Sequence, residues 1–172
     1  MIGVVMSQPS YRESAERNFN DLDADGDGFL TRYDYMALAQ QRLQQTGVRP
    51  DSPDGEAVVE AFLNAWDTHV RALDTDRDGE ISKEEYVRSF EMLVRTGALE
   101  AVLAPISRAT FTVADRDGDG RISAEEFRSL WTHPGTDLGA AFDRADADGD
   151  GRISFEEFAR ARQGLLTGQI GA

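Results

Sequence analysis

The chain has 172 residues, 40% of them apolar, with no cysteine and a net charge of −14. That length and composition fit a globular body with a real core, and the missing cysteines exclude disulfide scaffolds, thiolate zinc sites and cysteine nucleophiles. So acidic a chain lacks the basic surface that nucleic acids and anionic membranes require, so neither is an expected partner.

The first ten residues, MIGVVMSQPS, have no basic n-region and too short an apolar run for a signal peptide. Ile2 stands where a myristoylation signal needs glycine, and no segment approaches the length of a membrane span. The expected location is cytoplasmic. Ala15, Phe19 and Leu22 then mark a helix over 11–22. The stretch LDADGDGFLTRYD follows, and it recurs as LDTDRDGEISKEE, ADRDGDGRISAEE and ADADGDGRISFEE.

Further along, Val59, Phe62, Leu63, Trp66, Val70 and Leu73 predict a helix over 56–73, entering the second repeat. Tyr86, Phe90 and Leu93 predict the helix leaving it. Pro105 predicts a break before the third repeat, with a fresh helix from about Ser107 to Ala114. Phe127, Leu130 and Trp131 leave the third repeat, Leu138 and Phe142 enter the fourth, and Phe155 and Phe158 leave it. Breaker-rich linkers fall at 46–55, 95–97 and 133–137. The aromatics, Trp66 and Trp131 included, read as core between paired helices and not as a target groove. His69 and His133 have no neighbouring ligand set and read as surface or interfacial residues.

Every repeat fits D-x-D-x-D-G-x-hydrophobic-x-x-x-[D/E] and resembles the EF-hand calcium loop, in which positions 1, 3, 5, 7, 9 and 12 supply ligands. The candidate metal residues of loop one are Asp23, Asp25, Asp27, Phe29, Thr31 and Asp34. Those of loop two are Asp74, Asp76, Asp78, Glu80, Ser82 and Glu85. Loop three offers Asp115, Asp117, Asp119, Arg121, Ser123 and Glu126, and loop four Asp146, Asp148, Asp150, Arg152, Ser154 and Glu157. Three aspartates at alternate positions aim short side chains at one centre, and the glycine at position 6 lets the chain wrap around it. Position 7 would serve through its carbonyl, position 9 through a bridging water, and position 12 from the outgoing helix. Two carboxylates ~5 Å apart repel by roughly 3 kcal/mol at an effective dielectric of ~20, so an empty loop is strained. Hard, highly charged oxygen ligands suit Ca2+ or Mg2+. Glu84 and Glu125, each preceding a position-12 glutamate, read as solvent-facing and not as acid–base pairs.

The fold expected is all-α: four EF-hands in two pairs, residues 10–96 and 97–172. Each pair is joined by a short antiparallel ribbon at position 8, Leu30 with Ile81 and Ile122 with Ile153, and the pairs pack into one compact body. The loops start 51, 41 and 31 residues apart. With that uneven spacing, and with Asp34 closing the first loop, the chain resembles the sarcoplasmic calcium-binding proteins and their calerythrin-like bacterial relatives. The resemblance covers residues 11–165. It implies a calcium-buffering role with signalling capacity and no enzymatic activity. It also implies a degenerate hand, from which this sequence departs, since every loop keeps acids at positions 1, 3, 5 and 12. The alternative is a calmodulin-like sensor that exposes a groove to a protein target. Only Met36 and Met92 lie outside the N-terminal tail, which is few for an adaptable groove. Up to four Ca2+ are expected in a monomer, with Mg2+ competing at loop one because Asp34 is short for a bidentate closure. The C-terminal GLLTGQIGA is expected to help close a cleft.

Overall fold

A computed structural model describes residues 11–130 and 138–167. The first hand is α1 (Tyr11–Leu22), β1 (Phe29–Leu30) and α2 (Arg32–Thr46). The second is α3 (Pro53–Leu73), β2 (Ile81–Ser82) and α4 (Lys83–Thr96). The third is α5 (Leu99–Ala114), β3 (Arg121–Ser123) and α6 (Ala124–Leu130); the fourth is α7 (Leu138–Ala145), β4 (Arg152–Ser154) and α8 (Phe155–Thr167).

Local chemistry fixes these boundaries. Ser52 caps α3, accepting from Gly55 N, with Pro53 at the first helical position, where its missing N–H costs nothing. Gly97 ends α4 at φ 73°, a left-handed cap that returns its N–H to Leu93 and Val94 carbonyls. The two ribbons are antiparallel, with Leu30 opposite Ile81 and Ile122 opposite Ile153, and all four side chains are fully buried. The position-8 residues therefore join the loops in pairs, as the sequence pattern predicts.

One core gathers Phe19, Leu30, Phe62, Trp66, Ile81, Tyr86 and Phe90 from the first two hands. A second gathers Phe111, Ile122, Phe127, Phe142, Ile153 and Phe158. Helix α5 serves both. Leu99, Leu103, Ile106, Ala109 and Val113 enter the first core, while Phe111 and Ala114 enter the second. The closing helix α8 packs on α5 and on α1, so the last hand touches the first.

Two expectations need correcting. Helix α5 runs unbroken through Pro105. A mid-helix proline costs ~3 kcal/mol, but each larger apolar side chain buried returns ~1.5–3 kcal/mol, and the α5 stripe spans both sides of the proline. The carbonyl that Pro105 leaves without a donor belongs to Ala101, which is exposed and can bond water. His69 is not at the surface: it is fully buried in the first core. Its Nε2 donates to the Val102 carbonyl at 3.0 Å, and its Nδ1 accepts from the Tyr35 hydroxyl. Its partners come from α2 and α5, so periodicity within α3 could not show them. Trp131, His133 and the linker 133–137 lie outside the described residues, as does most of GLLTGQIGA.

Candidate metal centres

Each loop begins as the last turn of its entering helix. The amides of Asp23, Asp74, Asp115 and Asp146 donate to carbonyls four residues back, at 2.8–3.1 Å. The chain then folds around its first aspartate. The position-6 amides of Gly28, Gly79, Gly120 and Gly151 donate to Oδ2 of position 1, at 2.9–3.1 Å. These glycines have φ of 83–92°, a conformation open to them because they have no Cβ. The amide of position 5 donates to position 3, and that of position 7 to position 5, in all four loops. One oxygen of each aspartate at positions 3 and 5 is thereby pinned by backbone, and both oxygens at position 1 are, since a second amide reaches its Oδ1.

Position 12 closes the loop. Glu85, Glu126 and Glu157 accept at Oε1 from the amide of position 2 at 2.9 Å, and at Oε2 from the amide and hydroxyl of the position-9 serine. Asp34 makes the same contacts: Ala24 N at 2.9 Å, Thr31 N at 2.7 Å and Thr31 Oγ1 at 2.8 Å. The position-9 hydroxyls thus bond the closing carboxylate directly. Thr31 and Ser82 also cap the outgoing helix, in a capping box with Asp34 and Glu85.

Three carboxylates converge in each loop, with one oxygen from each lying within 4.8 Å of the others. Oxygens on opposite sides of a calcium ion stand about 4.6–5.2 Å apart, so each trio can touch a single such cation. In loops two, three and four the trio is positions 1, 3 and 12: Asp74, Asp76 and Glu85; Asp115, Asp117 and Glu126; Asp146, Asp148 and Glu157. In loop one it is positions 1, 3 and 5: Asp23, Asp25 and Asp27. The remaining acids, Asp34, Asp78, Asp119 and Asp150, stand outside these trios. The position-7 side chains of Phe29, Glu80, Arg121 and Arg152 are largely exposed, which fits a position whose contribution would be its carbonyl.

The electrostatics of the loops follow from their crowded carboxylates and the hydrogen bonds those accept. Asp76 accepts from the Asp78 amide, which favours its charged form, but desolvation and repulsion by Asp78, Glu85 and Asp74 outweigh this and raise its pKa. Glu85 goes the other way: burial raises it, and the Ser82 and Thr75 hydrogen bonds overcome burial and hold it at about 2. Glu126 and Glu157 are lowered by the equivalent bonds. The closing glutamates are therefore ionised and aimed before any cation arrives.

The sequence reading missed position 4. Gly26, Gly118 and Gly149 have φ of 71–74°, and loop two holds Arg77 there at 64°. Glycine in three of the four copies was the available signal. It also missed the partners of Arg121 and Arg152, which lie on the opposite loop and leave no mark in either repeat alone.

The profile of the EF-hand domain pair matches residues 12–91 and again 104–163. Calerythrin of Saccharopolyspora erythraea is 27% identical over 120 residues, 68% of either chain. Calcineurin B of Yarrowia lipolytica is 28% identical over 131 residues, 66% of this chain and 76% of its own. Among solved structures, a Streptomyces coelicolor calcium-binding protein described in terms of prokaryotic calcium-mediated regulation superposes with a TM-score of 0.76. It is 27% identical and covers 92% of this chain and 99% of its own.

Proposed function

The chain belongs to the EF-hand family of calcium-binding proteins, and from that premise we propose that it is a cytoplasmic calcium buffer with signalling capacity, monomeric and without catalytic activity. Its four candidate loops would each hold one cation through the carboxylates of positions 1, 3, 5 and 12 and the carbonyl of position 7. The position-9 residue would act through a bridging water or by steadying position 12. The bound cation supplies charge that neutralises the loop; the chain supplies aimed oxygens and a hydrogen-bonded frame. The loops work as two ribbon-joined pairs, 10–96 and 97–172, with α5 borrowed into the first core.

The observation that carries the buffer reading is the seat of α5. A sensor exposes an apolar groove to its target on loading. Here Leu99, Leu103 and Ile106 of the chain's own α5 already fill the core of the first pair. A second reading, a sensor with a protein target, is favoured by the likeness to calcineurin B and by Met92, 54% exposed on α4. Calorimetric titration of the metal-free protein with calcium, with and without millimolar magnesium, separates them when apolar-dye binding is followed in parallel. A buffer shows dissociation constants of ~10⁻⁹–10⁻⁸ M, competition by magnesium and little dye uptake. Constants of ~10⁻⁷–10⁻⁵ M with strong dye uptake would overturn it in favour of the sensor.

A further inference from the structure

The arginines at position 7 of loops three and four reach across the β3–β4 ribbon. Arg121 Nη1 donates to Asp150 Oδ2, and Arg152 Nη1 donates to Asp119 Oδ2. Each arginine belongs to one loop, and each aspartate is position 5 of the other. The other oxygen of each aspartate is already held: Asp119 Oδ1 by Arg121 N and Asp150 Oδ1 by Arg152 N, both at 2.9 Å. Each oxygen keeps a second lone pair, so a cation that enlists Asp119 does so against the positive charge of the guanidinium already paired with that carboxylate. The backbone amide cannot leave without unwinding the loop, whereas the guanidinium sits on a flexible, half-exposed side chain. Loops one and two have no equivalent, since Phe29 and Glu80 occupy position 7 and neither supplies a positive charge.

We propose that Arg121 and Arg152 are crosswise internal counter-ions: each occupies the position-5 carboxylate of the opposite loop, steadies that loop while it lacks metal, and lowers its affinity for calcium. The position-7 carbonyl is backbone, so exchanging either side chain removes no ligand. The inference rests on loops three and four binding calcium as proposed above. Both ion pairs are partly exposed, which limits each to a modest effect.

The test is a calcium titration of the whole chain followed by NMR, with the Gly120 and Gly151 amides reporting loops three and four separately. Arg152→Gln should tighten loop three about threefold to fivefold and leave loop four nearly unchanged; Arg121→Gln should do the reverse. Both variants should lower the melting temperature of the calcium-free protein. A merely structural role would lower melting without tightening anything. Tightening of the arginine's own loop, equal tightening of both, weaker binding or no change would overturn the proposal. If Gly120 and Gly151 do not respond to calcium in the unaltered chain, the loop assignment itself fails. If they respond and the crosswise pattern is absent, only the counter-ion role fails.

Discussion

Asp34 reaches the hydrogen-bond donors that Glu85, Glu126 and Glu157 reach, with one methylene less, and it is 1% exposed. Its two oxygens are turned to Ala24 and Thr31, and the carboxylates that converge in its loop are Asp23, Asp25 and Asp27. A site closed this way favours fewer oxygens, hence the smaller octahedral ion. Asp34→Glu is therefore expected to tighten calcium binding at loop one by about tenfold, or ~1.4 kcal/mol, and to weaken magnesium competition there. Calorimetry in both ions decides it, and an unchanged affinity refutes the idea. Arg77 makes a second prediction. It holds φ 64° where the other loops have glycine, and a side chain in that region costs ~1–2 kcal/mol. Arg77→Gly keeps the amide that donates to Asp74 Oδ1 at 2.7 Å. After the entropy that glycine adds to the unfolded chain, a net gain of ~0.5–1 kcal/mol is expected in denaturant unfolding. Lower stability would mean that the arginine side chain contributes more than its strain costs. Within one loop the spacing of the acids and the turn at position 6 were legible in the sequence, because the pattern is local and repeats four times. The left-handed position 4 and the direct bond from position 9 to position 12 were not.

At the scale of the helix, legibility ends where partners come from elsewhere in the chain. The spacing of apolar residues located α1, α3 and α4, and the position-8 residues gave the ribbons. It could not show that α5, assigned to the third hand, also fills the core of the first two, nor that this burial carries the helix through Pro105. His69, on α3, ties α2 and α5 to its own helix. Val102 O can only accept, so Nε2 carries the proton and Nδ1 receives the Tyr35 hydroxyl; the imidazole is neutral. Burial pushes its pKa down, the positive charge of Arg162 adds to this, and the Val102 bond opposes it, leaving it at about 4 against an ordinary 6.5. A histidine depressed on folding contributes stability that is complete above pH 6.5 and is lost as pH falls toward 4. The size of that loss is ~3 kcal/mol. The stability advantage of the unaltered chain over His69→Gln should shrink by this amount between pH 7 and pH 4, measured by denaturant unfolding with calcium chelated. A constant advantage would show that the imidazole is protonated without cost and that α5 does not seal it from water.

For the whole molecule, the governing quantity is a net charge of −14 concentrated in four loops whose carboxylates are held close together. Without metal, this repulsion is offset inside the third and fourth loops by Arg121 and Arg152, and in all four by backbone amides. Four dications carry +8 and would bring −14 to −6. Two consequences follow from the same electrostatics. A cation bound at a hundredfold excess over its dissociation constant adds ~2.7 kcal/mol, so four sites add on the order of 10 kcal/mol, and chelation should lower the melting temperature by ~20 °C or more. Monovalent salt acts by a different route, screening charges separated by more than ~10 Å at 0.1 M. Raising sodium chloride from 10 to 200 mM should therefore stabilise the calcium-free protein by several degrees and the loaded protein much less. Calorimetric melts in the two salts, with calcium or with chelator, give the four numbers needed. Equal salt effects on both forms would mean that the long-range repulsion which salt screens does not come from the charges that calcium neutralises in the loops.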